Sequence, residues 1–296
     1  MIWLVGARGM LGNEVAAQLS IAERPFVATD IEVDITDPAQ IEGFLRKHLG
    51  APLEWIVNCA AYTAVDRAED DPETALAVNA DGVENLARLS GEIRAALIHF
   101  STDYVFAGDR SAPYREEDAP RPLSRYGWSK WLGETRLAAS LEAHFLFRIS
   151  WLYGVHGANF VKTMLNVFRG RESARVVNDQ SGSPTYAAPL AANIAGLIAS
   201  GCDRYGTYHY CDRGVITWFD FAARIQDLAL ASGLLEKRIP LLAIATSQFP
   251  TRAQRPAHAA LDNRKVVREL GFRVHDWQAN LEEFFRELAL PGPGRS

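Results

Sequence analysis

The sequence predicts an α/β fold, a doubly wound parallel sheet carrying a smaller C-terminal α/β lobe, and three observations support this. Short apolar runs alternate with segments of helical period through the first half of the chain. Those runs lack polar alternation, as strands covered on both faces require. Past Trp151 the rhythm loosens into helices joined by short strands.

Ile2–Val5 reads as a strand closed by Gly6, and Met10, Leu11, Val15 and Leu19 then share one face of a helix. Further strands are expected at Phe26–Thr29, Trp55–Asn58, Leu97–Ser101 and Phe145–Ile149. Helices fall between them at Ala39–Leu49, Pro72–Ile93 and Ser124–Leu141. Later helices are expected near Phe160–Phe168, Leu190–Ala199, Thr217–Ala231 and Asp276–Leu288. The expected organisation is a nucleotide-binding domain over 1–150, then a mainly substrate-binding lobe over 151–290 with some segments returning to the first domain. The tail 291–296, PGPGRS, buries too little to order itself.

A chain of 296 residues with 48% hydrophobic content is long and apolar enough for roughly two globular domains, which excludes disorder and fibre. Its charge balance, 31 − 36 = −5, sets an unfavourable field against nucleic acid or an anionic membrane, so neither is expected as a partner. Three cysteines, Cys59, Cys202 and Cys211, form neither an even set nor a CxxC pair and fit a reducing compartment. No stretch approaches the ~18 apolar residues of a membrane span, and no basic run precedes the opening apolar residues. A cytoplasmic protein is expected.

The segment Gly6-Ala7-Arg8-Gly9-Met10-Leu11-Gly12 places glycines at spacings of three and three, directly after the first strand and opening the first helix. A tight turn, close approach of backbone to a pyrophosphate and close helix–strand packing each demand glycine there, with the helix N-terminus facing the anion. This is the arrangement of a dinucleotide-binding Rossmann sheet. Asp30 ends the second strand 18 residues past Gly12, where a carboxylate reaches an adenosine ribose hydroxyl and favours NAD. Arg8 argues the other way, since a guanidinium in this loop meets a 2′-phosphate or stacks on adenine. NADPH and NADH therefore both remain open. Asp34 and Ile35 border the adenine or, equally, belong to a capping turn before Pro38.

Tyr126 and Lys130, in YGWSK, stand at i and i+4 and so on one helix face. A tyrosine exchanging a proton with a carbonyl oxygen near neutrality must overcome a pKa of ~10, about 4 kcal/mol away, and a neighbouring ammonium has the right sign to help. Thr102, in STDYVF at the end of a preceding strand, supplies a third hydroxyl where ligands bind in open α/β sheets.

Taken together the chain resembles the extended short-chain dehydrogenase/reductases, and within them the dTDP-4-dehydrorhamnose reductase family. The resemblance spans nearly the whole chain and rests on VNCAAYTAVDRAE (57–69), VNA (78–80), STDYVF (101–106), YGWSK (126–130), RISWLYG (148–154), NDQSGSPT (178–185) and RP (255–256). It implies reduction of the C4 keto group of dTDP-4-dehydro-L-rhamnose with NADPH or NADH, with Thr102, Tyr126 and Lys130 catalytic. It also implies that Cys59, Ala60 and Ala61 lie along the cofactor. Val65, Asp66, Asp103, Tyr104 and Trp151 are implied for the sugar pocket. For Trp151 a core role is the competing reading. The polar loop Asn178-Asp179-Gln180 either grips the nucleotide or turns the chain, and the resemblance favours Asn178 as a contact. Arg255 and Arg252, in TRAQRP, are the best cations for a diphosphate, against the reading of solvated surface arginines. Asp66 is also a candidate helix cap, and His99 reads as a core or edge residue.

One departure concerns metal. Some family members hold Mg²⁺ with three glutamates that join two subunits; Glu14 and Glu287 match two of those positions, but the third falls on Ala188. Two carboxylates make a poor cage for an ion that dehydrates reluctantly, so no metal site is expected and at most a weak homodimer. The alternatives are another NAD(P)-dependent nucleotide-sugar reductase or epimerase, and a non-catalytic regulatory subunit resembling methionine adenosyltransferase beta.

Overall fold

The computed structural model describes residues 1–48 and 52–289; the tail 291–296, and Leu49 at the end of an expected helix, lie outside the described residues. In order, the first half runs β1 (Ile2–Val5), α1 (Met10–Ile21), β2 (Phe26–Thr29), α2 (Pro38–His48), β3 (Trp55–Asn58), α3 (Pro72–Leu76), α4 (Gly82–Ile93), β4 (Ala96–Thr102), α5 (Arg125–Ser140) and β5 (His144–Ile149). The second half runs β6 (Leu152–Tyr153), α6 (Phe160–Gly170), β7 (Ala174–Val177), β8 (Ser181–Gly182), β9 (Thr185–Tyr186), α7 (Ala187–Ser200) and β10 (Gly206–Tyr210). It ends with β11 (Ile216–Thr217), α8 (Trp218–Ala231), β12 (Leu241–Ile244), α9 (Arg264–Leu270) and α10 (Trp277–Ala289).

Six strands form the main sheet in the order β10-β5-β4-β3-β1-β2, every pair parallel. This is the doubly wound sheet expected from the sequence. Period-two alternation sends Ile2 and Leu4 of β1 to one face and Trp3 and Val5 to the other, and all four are buried. The first face packs on Leu11, Val15 and Leu19 of α1 and on Leu190, Ile194 and Ile198 of α7. The second packs on Ile41 and Leu45 of α2, Val83 and Leu86 of α4 and Leu137 of α5. The winding reverses between β1 and β3, which opens a crevice at their carboxyl ends.

A separate apolar core gathers α6, α8 and α10 around Tyr153, Phe168, Tyr186, Phe221 and Phe284. β10 and α7 return from this half of the chain to complete the first sheet and its cover.

The structure differs from the expected single helix over Pro72–Ile93: a π-turn at Ala77–Asp81 separates α3 from α4. Its cause lies in Asn79. The side chain bonds both backbone groups of Tyr62 (2.9 and 3.0 Å) and donates to Ser129 Oγ (3.0 Å). The Asn79 carbonyl meanwhile crowds Gly133 of α5 so closely that a Cβ there would sit 2.0 Å away. A one-residue bulge reconciles these contacts with the helix on either side. α9 has no counterpart among the elements that the periodicity marks, being a seven-residue helix capped by Gly271 at φ +67°.

Candidate active site

The glycine loop folds as its chemistry requires. Gly6 adopts φ +73°, and a Cβ on it would lie 2.5 Å from the Ala60 nitrogen across the β1/β3 crevice. A Cβ on Gly12 would lie 2.1 Å from the Gly6 carbonyl, so α1 seats directly on the loop. Gly9 caps α1 without a side-chain bond, leaving first-turn N–H groups for an anion. Met10 lies against Gly154 and Gly157, while Leu11 turns into the core.

At the end of β2, Asp30 accepts from the Arg8 amide (2.8 Å) and from the Ile31 amide (3.0 Å). Arg8 extends its guanidinium to Glu32 at 2.5 Å. Asp34 accepts from the Thr36 amide at 2.9 Å, and Asp37 from the Ala39 amide at the start of α2, so the acidic run does serve as a capping turn. Ile35 is a core residue whose side chain packs on Gly82. Cys59, Ala60 and Ala61 leave β3 into the crevice, with the Ala60 amide donating to Asn58 Oδ1. Burial pushes the Cys59 thiol well above its ordinary pKa, which disfavours the nucleophilic thiolate.

β4 and α5 bring Thr102, Tyr126 and Lys130 together, each at most 8% exposed. Ser124 caps α5 through the Gly127 amide, and Gly127 admits the Tyr104 carbonyl, since a Cβ there would sit 2.2 Å from it. Thr102 lies beside Tyr126 and acts to lower its pKa, while its Oγ1 donates to Asp103 Oδ1 at 3.0 Å and accepts from the Tyr104 amide at 3.2 Å. Lys130 Nζ donates to the Phe100 carbonyl at 2.6 Å. The electrostatics correct a simple expectation. Burial, rather than Lys130, dominates Tyr126 and holds its phenol above the ordinary value. Burial also lowers Lys130 to about 8, against the opposing pull of Glu134.

Asp103 is buried, its carboxyl raised to about 7 by desolvation, and its Oδ2 has no partner among the described residues. It lines a narrow cleft with Tyr104, Trp151, Gln180, Ser181 and Trp218. Tyr104 meets Tyr126 edge-on at 5.6 Å, and Val65 and Tyr62 pack beside them. Trp151 sits at φ +45° and stacks on Trp218 with ring centroids 3.5 Å apart, so it is a cleft wall.

Asp66 precedes a 3₁₀ turn but makes no capping bond. It accepts instead from Arg255 Nη2 at 2.9 Å and from the Ala253 amide at 3.1 Å. Arg252 pairs with Asp70 on the surface, away from the cleft. Asn178 is tied to Thr217 at the start of α8 (2.8 Å), and Asp179 to Thr246, so Gln180 is the member that reaches the cleft. Ser181 and Trp218 escape sequence reasoning because only the pairing of β8 with β11 and with residues 257–259 places them there.

Glu14 and Glu287 do face one another, but Tyr186 donates to Glu287, and Ala188 packs with the apolar core. No three His, Cys, Asp or Glu side chains converge among the described residues, and this donor set does not fit Mg²⁺. No helix among the described residues is long and apolar enough to cross a membrane.

Comparison with known proteins bears on the same set. The family model described as "RmlD substrate binding domain" matches residues 1–290. The dTDP-4-dehydrorhamnose reductase of Escherichia coli K12 is 37% identical, covering 97% of each chain, and that of Aggregatibacter actinomycetemcomitans 39%, covering 94% of this chain and 96% of the other. A Bacillus anthracis dTDP-4-dehydrorhamnose reductase solved in complex with NADP superposes with TM-score 0.89 at 37% identity, covering 97% and 98% of the two chains. A UDP-glucose 4-epimerase from Thermus thermophilus, at 17% identity and TM-score 0.81 over 98% and 99%, shares the fold. With the family model matching residues 1–290 and these relatives 37–39% identical over nearly the whole chain, the chain belongs to the dTDP-4-dehydrorhamnose reductase family.

Proposed function

We propose that this chain reduces the C4 keto group of dTDP-4-dehydro-L-rhamnose to dTDP-L-rhamnose, a step of nucleotide-sugar synthesis for surface polysaccharide. The observation that carries the reading is the convergence of Thr102, Tyr126 and Lys130 with the orphaned Asp103 oxygen at the carboxyl end of β4, on the edge of the sheet where the glycine loop follows β1 two strands away.

NADPH or NADH, when bound along Gly6–Gly12 and Cys59–Ala61, supplies the hydride. Tyr126 then gives its proton to the oxygen that becomes an alkoxide, and Thr102 donates a hydrogen bond to it. Lys130, in its ammonium form, steadies the phenolate left behind and meets ribose hydroxyls of the nicotinamide half. Asp103 accepts from a sugar hydroxyl with its free oxygen, Tyr104 and Val65 border the ring, and Trp151 excludes water above it. Arg255, released in part from Asp66, meets the diphosphate. Asn178 contributes by holding the Gln180 loop through Thr217 rather than by touch. A cytoplasmic location, a division into a dinucleotide domain (1–150) and a substrate lobe (151–290), and at most weak dimerisation belong to the same reading, the last because Ala188 removes a ligand that a metal-bridged pair needs.

Incubation with dTDP-4-keto-6-deoxyglucose, a 3,5-epimerase and each dinucleotide, read by product mass, tests it. A gain of two hydrogens is expected with at least one dinucleotide; no turnover with either rejects the reading.

A further inference from the structure

One residue of the cleft has no task in the reduction scheme: Gln180, buried beside Asp103, Trp151 and Trp218. β7 and β12 pair in parallel with Val177 opposite Ile244, and two residues beyond that register Asp179 meets Thr246. The Thr246 amide donates to both Asp179 carboxylate oxygens at 2.9 Å, and Thr246 Oγ1 donates to Oδ1 at 2.6 Å. Gln180 Nε2 donates to the same Oγ1 at 3.0 Å. These contacts fix which end of the amide is which. A threonine hydroxyl has one proton, and the carboxylate, which only accepts, takes it. Toward Gln180 the Thr246 oxygen is therefore an acceptor, and the amide has to present its nitrogen. Turned over, the amide would leave one of two oxygen–oxygen contacts with no proton between them.

With the nitrogen taken, Oε1 is the polar atom that Gln180 has left. No hydrogen bond from the described residues reaches it, and it is not sealed from solvent. Asp103 Oδ2 is a second acceptor in the same cleft without a partner among the described residues. Trp151 and Trp218, stacked on each other, add apolar wall and no acceptor. Such a cleft suits a ligand that brings protons, and two adjacent hydroxyls bring two. We propose that Gln180 determines specificity for the sugar, its Oε1 accepting from a ring hydroxyl at C2 or C3 while Asp179 and Thr246 keep the amide from turning. A sugar with no proton at that position leaves the oxygen unpaired in a desolvated site, which is the condition under which such a contact discriminates. The identity of the sugar rests on the reductase reading; the orientation of the amide does not.

The test is calorimetric binding of dTDP-L-rhamnose, and of analogues with fluorine in place of the C2 or the C3 hydroxyl, to the full chain with NADP⁺ present. Fluorine fills the space of the hydroxyl but brings no proton. In the wild type at least one analogue is expected to bind about 10-fold or more weakly than the parent. Gln180→Met removes the acceptor, and that penalty should fall to within about 2-fold. A merely loosened cleft would weaken all three ligands alike and leave the ratio untouched. Thr246→Val keeps Gln180 but frees its amide to turn the NH₂ toward the fluorine, so the same penalty should shrink about 3-fold or more. No penalty in the wild type, or a penalty that survives undiminished in either variant that folds, overturns the inference. If dTDP-L-rhamnose itself does not bind, the reductase reading has failed and this role falls with it.

Discussion

Arg255 donates to Asp66 at 2.9 Å across 189 positions of sequence, and its other terminal nitrogen lies 3.5 Å from the Tyr104 hydroxyl. One guanidinium thus joins the loop after β3, the turn after β4 and the segment that closes over the cleft.

Removing that guanidinium separates binding from chemistry. Arg255→Ala is expected to raise KM for the nucleotide sugar about 10-fold or more with little change in kcat, since a charge-assisted bond contributes ~1.5–3 kcal/mol. Steady-state kinetics with the sugar varied decides it; an unchanged KM removes Arg255 from the diphosphate site.

Tyr126→Phe keeps the ring against Tyr104 and deletes only the proton donor. Turnover should fall by ~10²–10⁴ while dinucleotide affinity, read by quenching of protein fluorescence, stays within a few-fold. Near-full activity would falsify the assignment of Tyr126 as the acid.

Two carboxylates, Asp30 and Glu32, stand around Arg8. Glu32→Gln frees the guanidinium to meet a 2′-phosphate, so the NADPH-to-NADH ratio of kcat/KM should rise roughly 2- to 10-fold, a modest change because the pair is exposed. Binding of 2′-phosphorylated adenosine, measured by calorimetry, should tighten in step.

Glu14 is buried and its carboxyl raised to about 7, by desolvation first and by Glu287 second. A folded-state pKa above the unfolded one means that folding favours the protonated form. Stability is therefore lost as pH climbs from the ordinary carboxylate range through about 7, and the full cost stands above it. Glu14→Gln should stabilise the fold at pH 8 by roughly 1–3 kcal/mol, seen as a higher Tm, and leave Tm nearly unchanged at pH 4. Magnesium should move neither melting curve; a magnesium-dependent rise in wild-type Tm that Glu14→Gln abolishes would restore a metal site.

How much of this was legible in the chain follows from the range of each signal. Gly6, Gly9 and Gly12, and the Tyr126–Lys130 spacing, act within one turn of backbone, and sequence displays such constraints directly. The π-turn at Ala77–Asp81 was hidden because the groups that Asn79 meets, on Tyr62, Ser129 and Gly133, lie up to more than fifty residues away. His99 reads correctly as a core histidine, but nothing in IHFST announces that its neighbours are Asn58 and Lys130. Trp218 was concealed for the same reason; in the polar loop that the motif favours, Asn178 Oδ1 accepts from Thr217 and Gln180 lines the cleft. Local geometry identifies the reacting groups; the walls around them are assembled by tertiary pairing.

The return of β10 and α7 to the first sheet has a consequence for how the molecule is made. Until a ribosome has passed residue 210, β5 is a bare margin with unpaired amides and the α7 side of the sheet is uncovered. Nascent chains of intermediate length are accordingly the ones most in need of a chaperone.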